Sequence, residues 1–229
     1  MLRKASLLFL LSTMYIGLNA QHAWYVGVRG GYNISGATVN QAILQTRTPT
    51  GQVLGATGGL VVKHFPKPHF GIQAEVNITQ KGYTMSFQDP IDEVITIFNY
   101  LEIPFMLNVY LGRRKWQFMA NTGPFVGWML SHNLTNPIDP ATTQTVEYTY
   151  LYDSDRDRKF NYGIKLTGGL FREFSFGAFQ IEGNFALDIS NFLNPVTLDS
   201  GIPDTSRTTV YGISVTYLFP LGKRFAPED

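Results

Sequence analysis

The sequence predicts an all-β fold, an eight-stranded antiparallel up-and-down transmembrane β-barrel. Three observations carry this reading. Eight segments alternate apolar and polar residues with period two. The connections between them alternate short and long. Charged residues make up only 15% of the 229-residue chain, against 14% aromatic. A soluble domain carries roughly 25% charged residues, so this chain has little surface to place in water.

Taken in order, the chain opens with Arg3 and Lys4, an apolar stretch from Ala5 to Leu18, then Asn19, Ala20 and Gln21. A basic start, a short apolar run and a small residue at the cut predict a cleaved signal peptide over residues 1–20. Residues 21–229 then form a single barrel domain. The chain has no cysteine, so no lipid-anchored terminus, disulfide or cysteine-ligated zinc is expected. A formal net charge of +1 offers no footprint for nucleic acid.

The cleanest strand is Phe70 to Thr79, with Phe70, Ile72, Ala74, Val76 and Ile78 on one face and Gln73, Glu75, Asn77 and Thr79 on the other. The same pattern predicts strands over Trp24–Ile34, Leu54–Val62, Ile95–Leu111, Trp116–Leu130, Phe160–Leu170, Phe179–Ile189 and Thr209–Phe219. The short turns are His64–Pro68, Gly112–Lys115 and Arg172–Ser175, and the longer connections cover roughly 35–52, 80–94, 131–158 and 190–207. Tight turns thus gather at one end and long loops at the other, the layout of outer-membrane barrels. Pro104 and Pro124 fall inside strands, where a closed barrel has no edge to hide a missing N–H. A bulge or local break is expected at each, and a further bulge near Gly177, because Phe174 and Phe176 are out of phase with Phe179.

A soluble sandwich also alternates, so the membrane reading needs more. The polar face is Gly, Asn, Thr, Gln and Ser rather than Lys and Glu. The strands reach the 9–11 residues that cross a bilayer at a tilt. Aromatics collect at strand ends: Trp24, Phe70, Trp116 and Tyr217 on the turn side, Tyr32, Trp128, Phe160 and Tyr211 on the loop side. Trp116 and Trp128 are in phase on one strand, roughly 30 Å apart along the membrane normal at about 3.4 Å per residue and a tilt near 40°. That spacing suits two aromatic girdles. In lipid, a strand protein must close to satisfy its backbone. A bacterial outer membrane is the expected location, with its lipid as the first partner.

Three strings carry a family resemblance: Tyr25-Val-Gly-Val-Arg-Gly-Gly-Tyr-Asn33, Gly71-Ile-Gln-Ala-Glu-Val-Asn77 and Tyr100-Leu-Glu-Ile-Pro-Phe-Met-Leu107. They resemble strands of PorT-like outer-membrane barrels, over essentially the whole mature chain. The resemblance implies a small eight-stranded outer-membrane barrel. It also implies a place in a protein-secretion system that exports cargo across that membrane, with envelope or secretion-machinery proteins as partners.

The chemistry-bearing residues point inward. Arg29, Glu75, Glu102, Lys165 and Glu182 form the expected polar network of the barrel interior, with Asp188 nearer the loops. Counting from the turn end puts Arg29, Glu75 and Lys165 at similar heights, and Glu102 and Glu182 higher. An eight-stranded interior is just wide enough for side chains to fill, and opposite charges there must pair. A structural plug is expected in place of a channel or a catalytic site. No GxGxxG, P-loop or Gly-x-Ser-x-Gly string occurs, and His22, His64, His69 and His132 lack ligand spacing. Asp153-Ser-Asp-Arg-Asp157 opens like a calcium loop, but Arg158 and Ile164 stand where Gly and Glu belong. No cofactor or metal is expected.

The function expected is a non-enzymatic accessory or scaffold in an envelope assembly. Two alternatives stay open: surface recognition through the long loops, with Tyr148, Tyr150 and Tyr152 either as contacts or as extensions of the strand hairpins above the membrane, and a lipid-modifying enzyme using Ser131 and His132 at the rim. Charge divides by end, with Arg113, Arg114, Lys115 and Arg172 at the turns and Asp139, Glu147, Asp153, Asp155 and Asp157 in the loops.

Overall fold

The computed structural model describes residues 23–41, 46–47, 50–67, 69–86, 93–112, 116–135, 152–155, 157–194 and 205–221. The expected signal peptide, Tyr148, Tyr150, Arg113–Lys115, Asp139 and Glu147 lie outside them. Eight strands form the wall: β1 (Ala23–Gln41), β2 (Thr50–Lys67), β3 (Phe70–Ser86), β4 (Glu93–Leu111), β5 (Trp116–Thr135), β6 (Phe160–Phe174), β7 (Gly177–Asp188) and β8 (Thr205–Leu221). Each pairs antiparallel with the next, and β8 returns to β1 from Trp24↔Leu221 to Asn40↔Thr205. The barrel is therefore closed, as the alternation predicted. A two-residue strand, Thr46–Arg47, folds back on Asn40 and Gln41 above β1.

Most strands run past the bounds read from the sequence, chiefly on the loop side. Residues 81–85 of β3 are buried without alternation. Period two is visible only where one face meets lipid, and these hairpins continue beyond that level. At the turn end, Lys67 pairs with Phe70, so His64 to Lys67 belong to β2 and not to a turn. His64 stacks on Trp24 at 4.1 Å, while His69 sits in the turn with Nδ1 3.2 Å from the Tyr110 carbonyl.

The two prolines break the ladder without a bulge. Pro104 lies in a gap of the β3–β4 ladder between Ala74↔Phe105 and Asn77↔Glu102, and the register is the same on both sides. Pro124 lies in the matching gap of the β4–β5 ladder between Pro104↔Phe125 and Leu107↔Thr122. In an antiparallel strand a residue bonds to one neighbour only, so each missing N–H opens one ladder and spares the other. The bulge expected near Gly177 is absent. Pairing is continuous from Phe174↔Gly177 to Gly163↔Asp188, and Ser175–Phe176 is a two-residue turn. Phe174 and Phe176 are out of phase because the chain reverses between them, and their rings stack at 5.4 Å. A register shift does occur where Asn99 and Tyr100 face Ser131 and Met129, leaving Leu130 as the extra residue.

The outward faces form an apolar band that includes Val28, Leu60, Val76, Phe105, Val126, Leu166, Ile181 and Val215. Between the two aromatic tiers no described outward residue is charged, as lipid requires: a mid-bilayer Lys or Arg costs about 2–4 kcal/mol. At the turn-side tier the Arg172 guanidinium lies 4.6 Å from the Trp116 ring and 4.7 Å from Phe174. Its stem crosses the band's edge while its charge stays at the interface.

Candidate functional site: the charged barrel interior

Closing the sheet turns every second side chain inward, and the interior fills in tiers. Nearest the turns, Tyr25, Val61, Phe65, Tyr110, Met119, Phe171, Ala178 and Leu218 pack into an apolar plug. Phe65 is its hub, with ring centres 5.0 Å from Tyr110, 5.5 Å from Tyr25 and 5.9 Å from Phe171. The Tyr25 hydroxyl donates to Glu173 Oε1 at 2.5 Å.

Above the plug lies an ionic tier centred on Arg29. Its Nη1 is 2.9 Å from Glu75 Oε1 and also pairs with Glu182 Oε1, while Nη2 donates to Asn184 Oδ1 at 2.5 Å. Glu75 Oε2 accepts from Lys165 Nζ at 2.9 Å and Asn77 Nδ2 at 2.7 Å, and Gln73 donates to Oε1. Glu182 Oε2 accepts from Gln180 Nε2 (2.6 Å), Thr167 Oγ1 (3.1 Å) and Asn121 Nδ2 (3.2 Å). Both carboxylates are saturated, the condition under which a buried ion pair is tolerated.

Lys63 sits between plug and ionic tier. Its ammonium donates to Tyr110 Oη at 2.6 Å and Gln180 Oε1 at 2.5 Å, and lies 5.3–5.9 Å from the ring centres of Phe65, Tyr110 and Phe171. A second ionic group stands toward the loops. Lys81 Nζ is 2.9 Å from Glu102 Oε1 and 2.9 Å from Asp188 Oδ2, and 4.4 Å from the Tyr100 ring centre. Asp188 also accepts from Asn161 at 3.2 Å and from Thr208.

The loop-side mouth is closed by Ala37, Val39, Tyr83, Met85, Phe98, Tyr100 and Met129 from the wall, with Tyr152, Phe192 and Leu193 from the connections. Backbone bonds hold this lid: Arg158 N to Phe192 O at 3.1 Å and Phe192 N to Ser206 O at 2.9 Å. Tyr152, open in the sequence as a surface contact or a hairpin extension, is no surface contact: it is buried against Phe98 and His132. Burial pushes its phenol pKa up, with Asp157 and Asp153 acting in the same direction. The Asp153–Asp157 acids cap their own loop: Asp157 accepts from the Asp153 and Asn194 amides, and Asp153 from the Asp155 amide. Ser131 accepts from Asn99 at 2.9 Å. No three His, Asp or Glu side chains converge on a metal-sized site among the described residues.

All five residues singled out in the sequence are inward and buried. Arg29, Glu75, Glu182 and Lys165 form one network. Glu102 stands apart from it on Lys81, and Glu182 lies level with Arg29, not above it. Strand stagger is the reason: in a closed barrel neighbouring strands are shifted by the shear, so residue counts from the turn do not give height. Lys63 and Lys81 were missed because both lie just past the strand bounds read from the sequence. A signal was available. Arg29 and Lys165 leave Glu75, Glu102, Glu182 and Asp188 two cations short, and among the described residues the barrel wall buries four cations and four carboxylates.

The sequence profile of the outer membrane protein β-barrel domain family matches residues 19–218. Among solved structures, the outer membrane protein OprG from Pseudomonas aeruginosa superposes with a TM-score of 0.52 at 11% identity, covering 86% of this chain and 96% of that one. Ail, the attachment invasion locus protein of Yersinia pestis, gives 0.42 at 11% identity over 86% and 99% of the two chains. Neisserial surface protein A gives 0.42 at 9% identity over 85% and 96%. None of the curated proteins compared with the chain matches it.

Proposed function

The chain belongs to the outer membrane protein β-barrel domain family and resides in a bacterial outer membrane; from that premise we propose that it is a non-enzymatic scaffold of an envelope assembly, of the PorT-like kind that serves protein secretion. The observation that carries this reading is the filled interior. Two apolar plugs bracket an ionic tier whose Glu75 and Glu182 carboxylates are saturated, so the described residues offer a membrane-held body and no conduit. Such a body acts through surfaces presented to partners. What supports the PorT-like assignment is the resemblance of the strings at Tyr25–Asn33, in β1, and Tyr100–Leu107, in β4.

Deleting the gene and measuring exported against retained cargo tests the role in secretion. Cargo is expected to accumulate in the periplasm, and unchanged export overturns it. Crosslinking in intact outer membrane followed by co-purification tests the scaffold reading separately, with a stoichiometric envelope protein as the expected partner.

A further inference from the structure

The outer wall carries a feature that the filled interior does not explain. Across β6, β7 and β8, Leu166 pairs with Phe185 and Phe185 with Tyr211, forming one outward row. The next row toward the turns is Gly168, Gly183 and Ile213. Two glycines side by side remove the wall's side chains there. A Cβ at Gly183 would come no closer than 3.8 Å to another atom, and one at Gly168 no closer than 4.0 Å. The result is a shallow, open depression of about 420 Å³, floored by glycine and flanked by Leu166, Phe185 and Tyr211. It lies in the apolar band, so only hydrocarbon suits it.

Directly above this groove the same strands end in cations. Arg207 is outward on β8, four residues beyond Tyr211. Arg158 is exposed just before Phe160 in the outward phase of β6, whereas the Lys159 carbonyl accepts from the amide of the inward Met129, which sets Lys159 in the opposite phase. The lid's backbone bonds set these segments side by side: Arg158 N donates to Phe192 O, and Phe192 N to the carbonyl of Ser206, the residue before Arg207. The Arg158 guanidinium is steadied by Asn194 Oδ1 at 3.4 Å. The neighbouring Asp157 accepts from the Asp153 and Asn194 amides. Tyr211 to Arg207 spans about 10 Å of membrane normal at 3.4 Å per residue and a 40° tilt. A lipid whose phosphate rests on the cations therefore lays an acyl chain through the groove. Arginine binds phosphate through paired, charge-assisted hydrogen bonds, and basic residues beside a membrane attract anionic lipid.

We infer that the β6–β8 face is a binding site for one anionic, phosphate-bearing lipid of the loop-side leaflet. Its phosphate is held by Arg207 and Arg158, and one acyl chain lies over Gly168 and Gly183. The site is independent of any role in secretion.

Native mass spectrometry of the full-length protein in detergent tests this, with phosphatidylglycerol and phosphatidylcholine of identical acyl chains as probes. One phosphatidylglycerol is expected to be retained, about tenfold in preference to phosphatidylcholine, because the choline cation offsets that lipid's phosphate while basic residues beside a membrane favour net-anionic lipid. Replacing Arg158 and Arg207 together by Gln should erase the preference. Gly183→Leu fills the groove and should cut retention of both lipids, and Gly168→Ala serves as a second, smaller fill if that variant folds poorly. A gel shift on boiling verifies folding of each variant. Equal retention of the two lipids, unchanged retention in the groove variants, or a dimer that only the groove variants dissociate would each overturn the proposal, the last by giving the groove to a second copy of the chain.

Discussion

Arg29 Nη1 stands 2.9 Å from Glu75 Oε1, with neither side chain more than 1% exposed. The same nitrogen pairs with Glu182, 153 residues further along the chain. One guanidinium thus ties β1, β3 and β7 across the barrel's interior.

Removing that guanidinium leaves two carboxylates facing each other in a site closed to water. Arg29→Met is expected to destabilise the barrel by about 3–5 kcal/mol, the cost of orphaning a buried charge. Adding Glu182→Gln to Arg29→Met should recover part of the loss, because one uncompensated charge disappears. Urea unfolding in detergent, followed by the shift between folded and unfolded bands on a gel, measures both.

The two missed lysines separate by what they touch. Lys81 neutralises Glu102 and Asp188, so Lys81→Met should also cost about 3–5 kcal/mol. Lys63 has neutral partners, Tyr110 and Gln180, and three aromatic rings around it. Methionine keeps much of that packing, and the loss is expected near 1–3 kcal/mol, the cost of leaving buried polar partners unmade. Equal losses in the same unfolding assay would contradict this division of the interior.

Glycines inside and outside the wall should respond oppositely. A Cβ at Gly163 would strike the Leu187 carbonyl and lie 2.7 Å from the Phe125 ring. Gly163→Ala is therefore expected to cost about 1–3 kcal/mol by overpacking. Gly183→Ala enters open space and should be neutral within about 0.5 kcal/mol, the usual range for surface substitutions. Thermal denaturation of the two variants side by side gives the comparison.

The filled interior predicts an electrically silent barrel. Purified protein added to a planar lipid bilayer should insert without conductance steps, because Phe65, Tyr110 and Phe171 close one end and Phe98, Tyr152 and Phe192 the other. Reproducible steps from the wild-type protein would show a continuous water path and remove the basis for the scaffold reading.

Much of the wall was legible in the sequence. Phe70 to Thr79 shows why: one face must suit hydrocarbon and the other a polar interior, and period two writes that contrast directly into the residues. The contrast fades where both faces are covered, so Tyr83 and Met85 at the top of β3 left no pattern to read. Lys81 went unseen for the same reason, although it continues the inward parity of Glu75, Asn77 and Thr79.

The sequence by itself determined the strand count, the closed membrane barrel and the inward placement of Arg29, Glu75, Glu102, Lys165 and Glu182. Each follows from a local rule of alternation, turn length or charge. Only the tertiary structure decided which charges meet. Arg29 pairs with Glu182 and Glu102 with Lys81 because barrel closure staggers the strands against one another. That stagger is a property of the whole ring of hydrogen bonds, not of any one segment. The lid of Tyr152, Phe192 and Leu193 and the groove over Gly168 and Gly183 have the same origin, since each joins residues that only closure makes neighbours.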